Sequence, residues 1–83
     1  MIDERLDDET YVFSGRMEVD DINEKYGVHL PTSDDYDTLA GLILSETQSI
    51  PREGDVVEVD RFEFKVLQAG HTTVDKIQMR VKD

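Results

Sequence analysis

The last third of the chain alternates apolar and polar side chains along three successive stretches. The apolar positions are Val57 and Val59, then Phe62, Phe64 and Val66, then Ile77, Met79 and Val81. A period of two is typical of strands with one buried and one solvated face. Asp60-Arg61 and residues 70–73 lie between these stretches and predict two turns. The pattern therefore predicts an antiparallel meander.

Two helical patterns and one further strand precede the meander. A strand is predicted from Thr10 to Gly15, and a first helix follows from the spacing of Val19, Ile22 and Tyr26, with Gly27 as its stop. A second helix is predicted to begin at Ser33 as N-cap, with Asp34 and Asp35 in its first turn, and to end at Ile50-Pro51. Its apolar face consists of Tyr36, Leu39, Ala40, Ile43, Leu44 and Thr47.

The predicted fold class is α+β, in the order strand-helix-helix-strand-strand-strand, with two helices packed on one mainly antiparallel sheet. Residues 1–9 are mostly charged and are predicted to be a linker or N-terminal arm, and residues 10–83 to be the folded domain. With 83 residues, the chain has room for one small domain with a thin core.

The charge of the chain excludes several classes of partner. It carries 20 acidic and 9 basic residues, for a net charge of -11, so phosphate backbones and anionic membranes would repel it. Its longest strictly apolar stretch, Leu42–Leu44, is far too short to span a bilayer. We therefore expect neither nucleic-acid binding nor direct membrane insertion by this segment.

The sequence contains no motif that predicts catalysis or a cofactor. It has no cysteine, and its serines stand without a G-x-S-x-G motif or a histidine partner at a recognisable spacing. The glycine patterns that cradle phosphates are also missing. We expect a protein that is not an enzyme, with no catalytic residues and no cofactor.

The acidic stretch Ser33–Asp37 leaves two interpretations open. Asp34, Asp35 and Asp37 offer the carboxylate oxygens that Mg²⁺ and Ca²⁺ prefer, although their spacing is not that of an EF-hand. The alternative is that Asp34 and Asp35 only complement the positive end of the second helix. The sequence thus raises a weak divalent-cation site as a hypothesis and leaves its ligands unassigned.

Gly41 interrupts the most apolar helical pattern in the chain. A glycine inside a helix costs about 1 kcal/mol relative to alanine. It is either an expendable position or one at which a neighbouring element passes too close for a methyl group.

The ordered motifs of the chain resemble the CorC/HlyC transporter-associated domain family. The resemblance rests on the Thr-Leu-Ala-Gly run 38–41, Pro51 and Gly54-Asp55, preceded by Gly15-Arg16-Met17, Asp20-Asp21-Ile22-Asn23 and Leu30-Pro31. It covers residues 10–82. One departure is that Thr72, Thr73 and Val74 occupy a turn that is often arginine-rich in the family.

The resemblance implies a function that the residues alone do not indicate. Such domains follow a membrane domain and paired cystathionine-β-synthase-type (CBS) domains in magnesium and cobalt efflux proteins and in proteins named hemolysins. The implied function is non-catalytic regulation of ion transport at the cytoplasmic face of the membrane, through contacts with neighbouring domains of the parent. Independently of the resemblance, the sheet of so small a domain has exposed edges, which favour a homodimer. The alternative is a sensor that binds Mg²⁺ or Ca²⁺ weakly through its acidic surface. The resemblance also implies that Gly41 lies where its helix passes closely against the sheet.

Overall fold

The computed structural model describes residues 1–82, which form two helices and five strands. The strands are β1 (Asp3–Arg5), β2 (Thr10–Ser14), β3 (Val56–Val59), β4 (Phe62–Ala69) and β5 (Val74–Val81), and the helices are α1 (Val19–Tyr26) and α2 (Leu39–Thr47). All strand pairs are antiparallel, and the sheet order is β1-β2-β5-β4-β3. The predicted α+β fold with one antiparallel sheet and two helices is confirmed.

The core lies between one face of the sheet and the two helices. The strand residues Phe13, Phe64 and Ile77 are completely buried, as are Ile22 of α1 and Leu39 and Ile43 of α2. The opposite face carries the polar members of the alternation, such as Lys65 and Gln78, which pair across β4 and β5. The period of two in the sequence therefore corresponds to a sheet with one covered and one open face.

The end of α1 and both meander turns agree with the sequence predictions. Gly27 follows α1 at φ 66°, a left-handed conformation that glycine adopts without steric cost. Asp60 makes the first hairpin turn at φ 54°, and residues 70–73 connect β4 to β5.

The second helix begins later than predicted. Its N-cap is Thr38, whose Oγ1 accepts a hydrogen bond from the Gly41 amide at 3.1 Å, so Asp34 and Asp35 precede the helix and do not lie in its first turn. The Ser33 hydroxyl accepts a hydrogen bond from the Asp35 amide at 3.0 Å and stabilises a turn. The helix ends at Thr47, followed by Gln48 in a left-handed conformation, which places its end before the predicted Ile50-Pro51.

The segment 1–9 contributes a strand that the sequence pattern did not indicate. β1 pairs along the edge of β2, and Asp3 also contacts α1. One oxygen of the Asp3 carboxylate accepts a hydrogen bond from Tyr26 Oη at 2.5 Å, and the other contacts Lys25 Nζ at 2.6 Å. The Lys25 ammonium and the Tyr26 hydroxyl lower the pKa of Asp3, and the Asp3 carboxylate raises the pKa of both partners.

We expect Asp3→Asn to destabilise the domain by about 1 kcal/mol at neutral pH, because a charge-assisted contact between β1 and α1 is lost. The lowered pKa of Asp3 means that its contribution is complete above about pH 4 and disappears as the pH falls through the lowered value. The raised pKa of Lys25 means that its contribution is complete below about pH 10 and disappears above that range.

The measurement is urea unfolding from pH 2.5 to pH 9 for the wild type and the variant, with Glu4→Gln as the matched control. Glu4 lies in the same strand, is exposed and has no ion-pair partner within residues 1–82. The stability difference between wild type and Asp3→Asn should shrink at acidic pH, whereas Glu4→Gln should show little difference. A difference for Asp3→Asn that persists undiminished at pH 2.5 would contradict the ionic origin of the contact.

Candidate functional site

The predicted acidic cluster lines an open groove beside the start of α1. Asp34 and Asp37 face this groove together with Asp20, and its remaining lining is Thr32 and Ser33. Asp35 belongs to the same turn, but it is not part of the groove lining. The structure thus brings together two of the three predicted carboxylates and adds one that sequence spacing did not indicate.

Backbone contacts explain why Asp20 lies beside the loop formed by residues 32–37. The Val19 amide donates a hydrogen bond to the Asp37 carbonyl at 2.8 Å, which holds the start of α1 against the loop that precedes α2. Tyr36 anchors the loop on the other side, since its hydroxyl donates to the Pro31 carbonyl at 2.8 Å. The three carboxylates therefore share one groove because two distant chain segments are joined.

The acidic groove is not a preformed metal centre. Among the described residues, no three His, Asp or Glu side chains converge closely enough to hold a metal ion. Asp20, Asp34 and Asp37 are all exposed, so their carboxylates remain hydrated. Such an arrangement suits a hydrated divalent cation held through water, which Mg²⁺ accepts readily.

Two motif segments of the sequence, residues 15–17 and residues 38–41 at the start of α2, meet at a single junction. The Ala40 amide donates to the Gly15 carbonyl at 3.0 Å, and the Leu39 amide donates to the Met17 carbonyl at 2.8 Å. With the Thr38 cap on Gly41, the amides of the first turn of α2 all have protein partners. This helix N-terminus is therefore satisfied internally and offers no free amide to an anion.

A second groove runs along this junction. It is lined by Gly15, Arg16, Thr38, Ala40, Gly41, Leu44, Thr72, Thr73, Val74 and Asp75. The Thr72-Thr73-Val74 departure from the family pattern therefore falls in the same groove as Gly15-Arg16 and Thr38–Gly41. Arg16 is exposed there and makes no ion pair within residues 1–82.

The position of Gly41 corrects one expectation. A Cβ atom at Gly41 would lie 2.8 Å from the Cβ of Tyr36 and 3.4 Å from Oγ1 of Thr38. Both neighbours belong to the segment just before α2 and not to the sheet. Close packing therefore explains the glycine, as predicted. The prediction that the sheet is the close neighbour is wrong, because the nearest side chain is that of Tyr36. It is Gly15 that lies against the sheet, where an added Cβ would be 1.8 Å from the Val74 carbonyl oxygen.

The two histidines lie in different grooves of the described chain. His29 lies beside Arg61 at one end of the sheet, whereas His71 lies beside Pro51 and Glu53. Neither histidine is hydrogen-bonded to a serine within residues 1–82. Over the same residues, neither helix has the length and apolar composition that crossing a bilayer requires.

Comparison with known proteins relates this fold to a family of transport proteins. The chain is 24% identical over 79 residues to the magnesium and cobalt efflux protein CorC of Escherichia coli K12. The aligned region covers 95% of this chain and 27% of that protein. The chain thus spans about a quarter of the length of the curated CorC proteins that it matches.

Solved structures show the same architecture. A hemolysin domain from Enterococcus faecalis V583 superposes with a TM-score of 0.83 at 27% identity, over the full length of both chains. A transporter-associated domain from a Xylella fastidiosa hemolysin, in complex with Mg²⁺ and Mn²⁺, superposes with a TM-score of 0.82 at 18% identity, also over both full lengths.

The sequence profile of the family described as "Transporter associated domain", CorC_HlyC, matches residues 4–83. That range includes both motif segments that meet at the α2 junction, together with the sheet on which they pack. On this match, the chain belongs to the CorC/HlyC transporter-associated domain family.

Proposed function

We propose that this chain is a non-catalytic regulatory domain of a membrane-associated cation transporter of the CorC type, and that it acts through surface contacts with neighbouring domains of its parent. The observation that carries the proposal is the match of nearly the whole chain to about a quarter of a magnesium and cobalt efflux protein. The remaining three quarters of such a parent supply the membrane domain, and this domain lies at its cytoplasmic face.

The domain's own surfaces fit a contact role better than a chemical one. The grooves that hold the predicted motifs are open, and exposed acidic residues occur on helices, strands and loops alike. The junction groove combines small side chains with the exposed guanidinium of Arg16, a surface against which another protein segment can pack. Residues 1–9, which contribute β1 to the sheet, are also the proposed connection to the preceding domain.

The test uses a parent transporter that carries this domain, reconstituted in lipid vesicles. Mg²⁺ and Co²⁺ efflux is measured for the intact parent and for a form that lacks residues 4–83. Deletion should change the rate or the cation dependence of efflux while transport itself persists. Identical flux curves with and without the domain would refute the regulatory role.

A divalent-cation sensor is the second candidate, favoured by the shared groove of Asp20, Asp34 and Asp37. The Xylella fastidiosa domain described above, of the same fold, is a complex with Mg²⁺ and Mn²⁺, which supports testing these two ions first. In this candidate the groove holds a hydrated ion and reports its concentration to the transporter.

We expect Mg²⁺ to bind saturably at this groove if the sensor candidate is correct. Amide NMR should then show chemical-shift changes centred on residues 32–37 and on Asp20, and Mn²⁺ should broaden the same signals. Asp34→Asn with Asp37→Asn should weaken binding at least tenfold. Glu24→Gln, which removes an exposed carboxylate of α1 outside the groove, is the control. Linear, non-saturating shifts spread over the acidic surface would exclude the sensor.

A further inference from the structure

The two edges of the sheet differ in a way that matters for association. The β1 edge is built from Asp3, Glu4 and Arg5, and Asp3 ties it to α1. The β3 edge consists of Val56, Val57, Glu58 and Val59. Charged residues on an edge strand discourage pairing with another chain, and an edge rich in valine lacks that protection. The β3 edge is therefore the one open to a further strand.

The backbone of β3 presents unpaired groups to the outside. The Val66 amide donates to the Asp55 carbonyl at 2.9 Å, so the Asp55 carbonyl is directed towards β4. Antiparallel alternation then directs Val57 and Val59 towards β4 as well, and directs the amide and carbonyl of Val56 and Glu58 away from the sheet. These are the groups that an added antiparallel strand would bind.

The carboxylates at this edge are already engaged, in a domain of net charge -11. Glu58 Oε1 contacts Lys82 Nζ at 2.6 Å, and the Lys82 ammonium lowers the pKa of Glu58. Asp55 Oδ2 accepts a hydrogen bond from the Arg52 amide at 2.9 Å. Beside them the Val56 side chain is 53% exposed. The edge thus combines open backbone groups, an exposed apolar side chain and locally compensated charge.

We propose that two copies of this chain associate by antiparallel pairing of their β3 strands about a two-fold axis. A strand that pairs antiparallel with its own copy satisfies two-fold symmetry, which is the commonest symmetry of homodimers. With the axis at Val57, Val56 lies opposite the partner's Glu58, and the outward backbone groups of both copies bind each other. The pairing goes beyond the proposed regulatory role and is independent of it, since a monomeric domain could still regulate a transporter.

The strand is short, so the dimer is weak and depends on concentration. The two copies repel each other through their net charge, and the contact itself consists of backbone hydrogen bonds and valine. Added salt should therefore strengthen association by screening that repulsion. An interface made of ion pairs would respond in the opposite direction.

The test is sedimentation of the 83-residue chain from about 10 µM to 1 mM, at low and moderate salt, with amide hydrogen exchange at the highest concentration. We expect a dimer that increases with concentration and with salt, and slowed exchange at the amides of Val56 and Glu58. Val56→Glu places a carboxylate opposite the partner's Glu58 and should weaken association at least tenfold.

The matched control is Gln78→Glu, which adds the same charge to the same open face on β5, away from both edges. It should leave association unchanged, and thermal melting should show both variants folded. A monomer at every concentration, or a dimer that Val56→Glu does not disturb, would overturn the proposal. Neither result would bear on the efflux test of the regulatory role.

Discussion

Replacing Gly15 with alanine should lower the free energy of unfolding by about 3 kcal/mol, at the upper end of the usual cost of overpacking. The added Cβ would lie 1.8 Å from the carbonyl oxygen of Val74 and 2.9 Å from its carbonyl carbon. Both atoms belong to the backbone of β5, so relief requires movement of a main-chain segment. For a domain of this size, the melting temperature should fall by roughly 12–24 °C.

The cost at Gly15 is increased by the hydrogen bonds that hold the residue in place. Its amide donates to the Asp75 carbonyl at 3.1 Å, and its carbonyl accepts from Ala40 at 3.0 Å. Moving Gly15 away from Val74 would stretch one or both bonds, which connect β2, β5 and α2. The clash therefore cannot be relieved locally.

Urea unfolding monitored by circular dichroism measures the effect, and Gly70→Ala is the control. An added Cβ at Gly70 meets first the Thr73 hydroxyl, at 3.1 Å, and this side chain can rotate away. Gly70→Ala should cost less than about 1 kcal/mol. Equal losses in the two variants would show that backbone proximity at Gly15 is not what matters.

The strands and the first helix were predictable because their patterns are local. Alternation at Phe62, Phe64 and Val66 identifies both a strand and its buried face, since successive side chains point to opposite sides. Gly27 marks the end of α1 for an equally local reason, the left-handed conformation after the last turn. Neither inference needed knowledge of a distant residue.

The start of α2 was mispredicted because two structures use the same side-chain chemistry. A serine or threonine oxygen that accepts a nearby amide stabilises either a turn or a helix N-terminus. Ser33 does the first with Asp35, and Thr38 does the second with Gly41. The sequence offers both residues before the apolar run, and only packing of the chain decides between them.

The elements that escaped prediction depend on contacts between distant residues. β1 is short and charged, and it is held by pairing with β2 and by Asp3, which lies 22 positions before Lys25. Asp20 joins Asp34 and Asp37 only because the Val19 amide reaches the Asp37 carbonyl. Periodicity carries no information on such pairings, so the composition of the acidic groove required the structure.

Replacing Gly41 with valine should destabilise the domain by about 2 kcal/mol. The new Cβ would lie 2.8 Å from the Cβ of Tyr36, and that side chain is held by the hydrogen bond from its hydroxyl to Pro31. This cost exceeds the gain of about 1 kcal/mol that removal of a helical glycine can bring. Urea unfolding measures the change, and Glu46→Val, at an exposed position of the same helix, gives the cost of a β-branched residue alone.

A double-mutant cycle identifies the neighbour that keeps residue 41 small. Gly41→Val should cost much less in a Tyr36→Gly background than in the wild type, because the clashing Cβ is gone. Residues in direct contact usually show coupling energies of roughly 0.5–3 kcal/mol, and we expect a coupling energy of about 1 kcal/mol or more for this pair. If the sheet were the limiting neighbour, removing the Tyr36 side chain would leave the cost unchanged. Additive effects would therefore contradict packing against Tyr36, and an unchanged melting temperature for Gly41→Val would contradict close packing of any kind.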